Sequence, residues 1–155
     1  MHDHTYARPG TVRVLTLLLL VLGMNAAGAG GAFIAAPDGH LIEMPLSNLT
    51  NTPFSDFLVP GILLFFVLGI YPMAIAYAIW ARPSWQWPRL LNPFKATHWS
   101  WAGCLVAGAA LIVWITVQVQ WLQIVFLHVL CFFWGVAIVA LTLTPSVRRY
   151  CRLQS

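Results

Sequence analysis

The sequence predicts an all-α integral membrane protein. The expected form is a four-helix bundle with both termini cytoplasmic and a partly apolar outer loop between helices 1 and 2. Three observations predict this. Of 155 residues, 60% are hydrophobic and only 8% are charged, whereas soluble domains carry about 25% charged residues. Four long apolar stretches follow one another, at 12–36, 57–81, 99–119 and 122–144. Lysine and arginine are confined to alternate connections, which fixes an orientation.

Each stretch is long enough to span. About 20 residues at about 1.5 Å per residue cross a hydrocarbon core of about 30 Å. Lipid offers no partner to an open backbone, so each stretch must satisfy its own hydrogen bonds as a helix. The first stretch also resembles a signal peptide, with Arg8 and Arg13 before a leucine run and a small-residue region at Ala26, Ala27, Gly28 and Ala29. Its apolar run exceeds the usual h-region of about 7–15 residues, so it is expected to stay as a helix. Asn25 falls mid-span, where a single amide is expected to bond to a neighbouring helix.

The connection from 37 to 56 opens with Pro37, Asp38 and Gly39, a strong turn signal that ends the first helix. It holds Asp38, Glu43 and Asp56, and no lysine or arginine. Half of it is apolar, so it is expected to lie on the bundle or in the headgroups. Ser55 or Asp56 is placed to cap the second helix, and Pro60 then falls in its first turn, where a missing N–H costs little. Asn48-Leu49-Thr50 matches a glycosylation sequon, a short motif that matters only in a secretory eukaryotic setting.

The next connection, 82–98, carries Arg82, Arg89 and Lys95 among Trp85, Trp87 and Phe94, a mixture suited to a membrane surface with anionic lipid. His98 opens the third helix as an interfacial or capping residue. The third and fourth helices are joined by an uncharged hairpin around Trp121, and Arg148, Arg149 and Arg152 follow the fourth. Arg8 and Arg13 precede the first helix. All eight lysines and arginines therefore lie on the side of the termini, which is the cytoplasmic side by the positive-inside rule. Small residues recur at Gly23, Ala27, Gly28, Gly30, Gly31 and Ala32 in the first helix, and at Gly103, Ala107, Gly108 and Ala109 in the third. Such faces let helices approach closely, within the bundle or between subunits.

Motifs for chemistry are sparse. No GxSxG, HExxH, P-loop or GxGxxG occurs, and no Asp, Glu, Lys or Arg lies clearly within a span. A nucleic-acid face would need a clustered basic stripe, which this chain lacks. Cys104, Cys131 and Cys151 lack a CxxC pattern and read as small apolar packing residues. His128 is the one candidate cofactor-binding residue. It lies about six residues inside the fourth stretch, roughly 9 Å deep by helix rise. Its functional readings are a ligand to haem or metal and a proton exchange with the outer acids. The competing reading, favoured by the general run of membrane histidines, is a neutral imidazole bonded to a neighbouring helix. Cys131 shares its face, a spacing that alone does not make a dyad. His98 and His128 belong to opposite leaflets and cannot share one haem. His2 and His4 form a small metal-capable pair in the N-terminal tail.

Three segments resemble a group of small, uncharacterised bacterial four-helix membrane proteins. These three are Pro37-Asp38-Gly39, Met44-Pro45-Leu46, and Thr52 through Gly61; a fourth stretch, from Asn92-Pro93-Phe94 through His98-Trp99, fits too. The resemblance implies architecture and a bacterial inner-membrane location, with no activity and no site residues. The expected function is that of a non-catalytic accessory subunit packing against a larger membrane complex, with membrane lipids and either other subunits or further copies of itself as partners. The second class is a binder or carrier of a quinone, lipid, pigment or haem at a site formed by His128, Trp134 and the outer loop. The third is an oligomeric transporter or channel.

Overall fold

A computed structural model of the chain describes residues 8–85, 88, 90, 92–94, 96–122 and 125–152. Four helices are long and apolar enough to cross a membrane: α1 (Gly10–Ala35), α2 (Leu58–Ala81), α3 (Trp99–Gln118) and α4 (Phe126–Leu143). A short fifth helix, α5 (Pro145–Cys151), follows α4 directly. The described residues contain no strand, only one isolated bridge between Thr97 and Arg152. Trp87, Arg89, Lys95, His2 and His4 lie outside the described residues.

α1 and α2 run antiparallel, and glycine is what lets them touch. A methyl group on Gly30 would sit 2.6 Å from the backbone nitrogen of Phe65 and 2.8 Å from the carbonyl oxygen of Gly61. At Gly69 it would lie 3.0 Å from Ala27. These backbones therefore approach closer than any side chain allows, the small-residue packing expected between helices in lipid. Gly28 has nothing within 4 Å and faces outward. α3 and α4 repeat the device, with Gly108 and Gly135 each presenting a carbonyl 3.0 Å from the methyl the other lacks.

α2 is not uniform. Its centre, Leu64–Ile70, is a π-helix, and the Tyr71 N–H reaches back to the Phe66 carbonyl. Pro72 follows at once and has no N–H to give. The wider turn accommodates that loss, a common setting for a π-bulge. It also brings the Tyr71 hydroxyl to the Gly103 carbonyl at 3.2 Å, tying α2 to α3. The Trp134 indole donates to the Leu18 carbonyl at 3.3 Å and ties α4 to α1.

The largest group of buried side chains lies toward the end that carries the termini. It includes Val12, Leu15 and Leu19 of α1, Ile75 and Ile79 of α2, Trp99, Trp101 and Cys104 of α3, Ile138 of α4, and Val147 and Cys151 of α5. At the opposite end the loop between α1 and α2 folds onto the helices. Phe33 and Phe57 stack with centroids 4.6 Å apart, and Leu49 packs beside them. Gly39 takes φ 79°, the left-handed turn that ends the α1 segment.

Some ends differ from the sequence expectation. The fourth helix begins at Phe126 rather than 122. The apolar residues Trp121 and Leu122 belong to the hairpin, because hydropathy does not separate an apolar turn from an apolar helix. Asn25 bonds to the Val21 carbonyl of its own helix at 2.8 Å and is exposed, so it makes no link to a neighbour. Six described arginines, at 8, 13, 82, 148, 149 and 152, gather at one end of the fold. Asp38, Glu43 and Asp56 gather at the other.

Candidate functional site

The densest polar arrangement lies where the chain enters α3. Among the described residues, Pro83, Asn92, Phe94 and Thr97 to Ser100 come together there with the end of α5. Asn92 donates to the carbonyls of Phe94 at 3.0 Å and Thr97 at 2.8 Å, and accepts from the Phe94 N–H at 3.1 Å. This side chain closes the turn that delivers His98 to the helix start. The His98 Nδ1 accepts from the Ser100 N–H at 3.3 Å, which makes His98 the N-cap of α3. Nδ1 also lies 2.8 Å from the Ser100 hydroxyl, and Nε2 lies 3.1 Å from the Pro83 carbonyl. An accepting Nδ1 puts the proton of the neutral ring on Nε2, where it is donated to Pro83.

The end of α5 completes the cluster. The His98 N–H donates to the Cys151 carbonyl at 2.7 Å. Burial pushes the Cys151 thiol up to about 11, against smaller opposing effects of Arg82 and of a hydrogen bond from Ser100. It is therefore held as a neutral thiol. A serine hydroxyl aimed at an imidazole nitrogen is also the start of a nucleophilic site. Ser100 is 0% exposed, however, so no substrate carbonyl reaches it. What the arrangement does is join the α2–α3 connection, the N-terminus of α3 and the end of α5 into one hydrogen-bonded unit.

Tryptophans line the same region. Trp85 stacks on Trp99 with centroids 5.9 Å apart and stands 6.4 Å from Tyr77. The Trp101 indole donates to the Thr142 carbonyl at 2.9 Å, whereas the buried Trp99 indole N–H has no acceptor among the described residues. The two rings therefore make a matched test. Each loses apolar contact on replacement by phenylalanine, but only Trp101→Phe also breaks a buried hydrogen bond. Trp101→Phe is expected to cost about 1–2 kcal/mol more than Trp99→Phe in denaturant unfolding. Equal costs would mean that the Trp101 bond contributes nothing.

His128 lies at the opposite end, in the first turn of α4 rather than deep within it. Its Nδ1 accepts from the Val125 N–H at 3.2 Å, so the ring caps its own helix. A metal-bound imidazole normally donates through its second nitrogen; here Nδ1 accepts instead. A pairing with His40 of the outer loop, the other histidine the sequence places near this leaflet, does not form. His40 instead pairs with Asp38 at 2.6 Å, and its hydrogen bonds hold the Asp38 carboxyl below the usual range. Among the described residues no three His, Cys, Asp or Glu side chains gather as metal ligands. Ser100 and Cys151 had no signal in the sequence, because their partnership spans 51 positions and follows no short spacing.

The chain was compared with family models, curated proteins and solved structures, and no match was found.

Proposed function

We propose that the protein is a non-catalytic subunit of the bacterial inner membrane, with both termini cytoplasmic, that packs through α4 against a larger membrane complex. The observation that carries this reading is the exposure of α4. Only 17% of its apolar window is buried, against 44% for α3. Its small inner face, Gly135, Ile138 and Thr142, packs into the fold. Its outer face presents Phe126 at 80% exposure, Leu127 at 62% and Phe133 at 63%. Large rigid aromatic side chains are the kind that anchor interfaces. The orientation is supported by the separation of arginines and acids to opposite ends, and the bacterial location by the resemblance described above.

The test is a gentle purification from the source membrane, with mass spectrometry and an absorption spectrum of the intact particle. A stoichiometric larger partner is expected, and Phe126→Ser with Phe133→Ser is expected to release it while the protein stays folded. A lone particle or homo-oligomer overturns the reading. If it carries a chromophore lost on His128→Ala, the ligand-carrier reading replaces it.

A further inference from the structure

Among the described residues, no carboxylate pairs with an arginine at the terminal end. The one described carboxylate in close contact with a basic side chain is Asp38, hydrogen-bonded to His40 at the other end. Of the four acids in the sequence, three lie there and Asp3 lies outside the described residues. Among the described residues this rim is cationic and without carboxylates, a surface that attracts anions from outside.

Three of these arginines are also seated. The Arg8 guanidinium carbon is 4.1 Å from the ring centre of Trp80, Arg82 is 5.1 Å from Tyr150, and Arg148 is 5.9 Å from Trp101. Each pair joins two separate segments of the chain, so the three are spread around one end of the fold. All three arginines are exposed. A guanidinium resting on a ring keeps its N–H edge for another acceptor, and that planar edge matches a phosphate. Arg82 is further fixed by its backbone. It closes α2 in the left-handed conformation, φ 50°, where glycine is the usual residue.

Position supplies the last term. The apolar helices begin at Gly10 and Trp99 and end at Ala81 and Leu143. Residues 8, 82 and 148 therefore stand within a few residues of the hydrocarbon boundary, at the level of lipid headgroups. We propose that this end is a collar for anionic phospholipids, in which Arg8, Arg82 and Arg148 bind headgroup phosphates and Trp80, Tyr150 and Trp101 hold them in place. The collar requires only that the helices span a bilayer, and it stands apart from the accessory-subunit reading.

The test uses the full chain in vesicles of equal dioleoylphosphatidylcholine and dioleoylphosphatidylglycerol. Protein is withdrawn in polymer-bounded discs and the surrounding lipid is quantified by mass spectrometry. Phosphatidylglycerol is expected to be enriched over the bulk ratio, with each of Arg8→Gln, Arg82→Gln and Arg148→Gln weakening headgroup binding roughly fivefold. A bulk ratio around the unaltered protein overturns the proposal. The triple arginine-to-lysine variant keeps the charge and the fold but loses the planar edge, and it is expected to lose part of the enrichment. Full retention would mean charge alone suffices and would overturn the collar. Finally, thermal unfolding in neutral detergent is followed with added phosphatidylglycerol or inorganic phosphate. Stabilisation by the lipid alone is expected; equal stabilisation by phosphate would assign a free anion and overturn the lipid.

Discussion

Gly30→Leu is expected to drive α1 and α2 apart and to cost about 3 kcal/mol or more. Even one methyl group at this position would meet the Phe65 nitrogen at 2.6 Å and the Gly61 oxygen at 2.8 Å. Both are backbone atoms of a continuous helix, so neither can rotate aside as a side chain would. The helices must separate, and the stacked pair Phe33 and Phe57 near the loop must follow. Gly28→Leu, two positions earlier, points into open space and is expected to change stability by less than about 0.5 kcal/mol. Unfolding of both variants in bilayer discs, read by tryptophan fluorescence, decides the matter. Matching midpoints would show that the two helices do not meet at Gly30.

Val147→Asp is expected to be comparably severe. Val147 is 0% exposed, within the core group that includes Val12, Ile79 and Trp99. A carboxylate there would be buried without a built partner, a situation that costs about 3–5 kcal/mol. The loss would spread, because α5 is a clasp. Its Ser146 hydroxyl lies 2.9 Å from that of Thr11, its Tyr150 hydroxyl donates to the Ile79 carbonyl at 3.4 Å, and its Cys151 carbonyl accepts from His98. Protease cleavage in the α2–α3 connection should then appear at temperatures where the unaltered protein is intact. An unchanged cleavage profile would show that α5 does not brace that connection.

Much of this fold was legible because lipid imposes simple demands. A helix that must bury no charge over about 20 residues announces itself by composition. The loop was legible for a different reason: Pro37, Asp38 and Gly39 are turn chemistry; the expected cap is displaced, because Phe57 holds the N-cap position without a side-chain bond, while Asp56 accepts from the Leu58 N–H at 2.9 Å beside it. Two features escaped. The π-helical centre of α2 depends on how Pro72 is accommodated, and hydropathy carries no trace of it. α5 had a signal, a proline after Thr144 in the position that starts helices, but seven residues carrying Arg148 and Arg149 are too short and too polar to announce a helix by composition. The polar cluster was half visible. His98 was readable as a cap from its place before an apolar run, whereas Ser100 and Cys151 become its neighbours only through tertiary packing.

The clasp formed by α5 also bears on the order in which the molecule can be completed. Segments leave the ribosome one after another, and α5 emerges after every helix it touches. In a chain truncated after Thr144, the N-terminal turn of α1, the end of α2 and the start of α3 would lack their common brace, although all four spans are present. Such a truncated chain would be unsealed, with Ile79 and Trp99 uncovered at the end that carries the termini. Quality-control proteases would thus meet a substrate whose maturity is decided by seven residues.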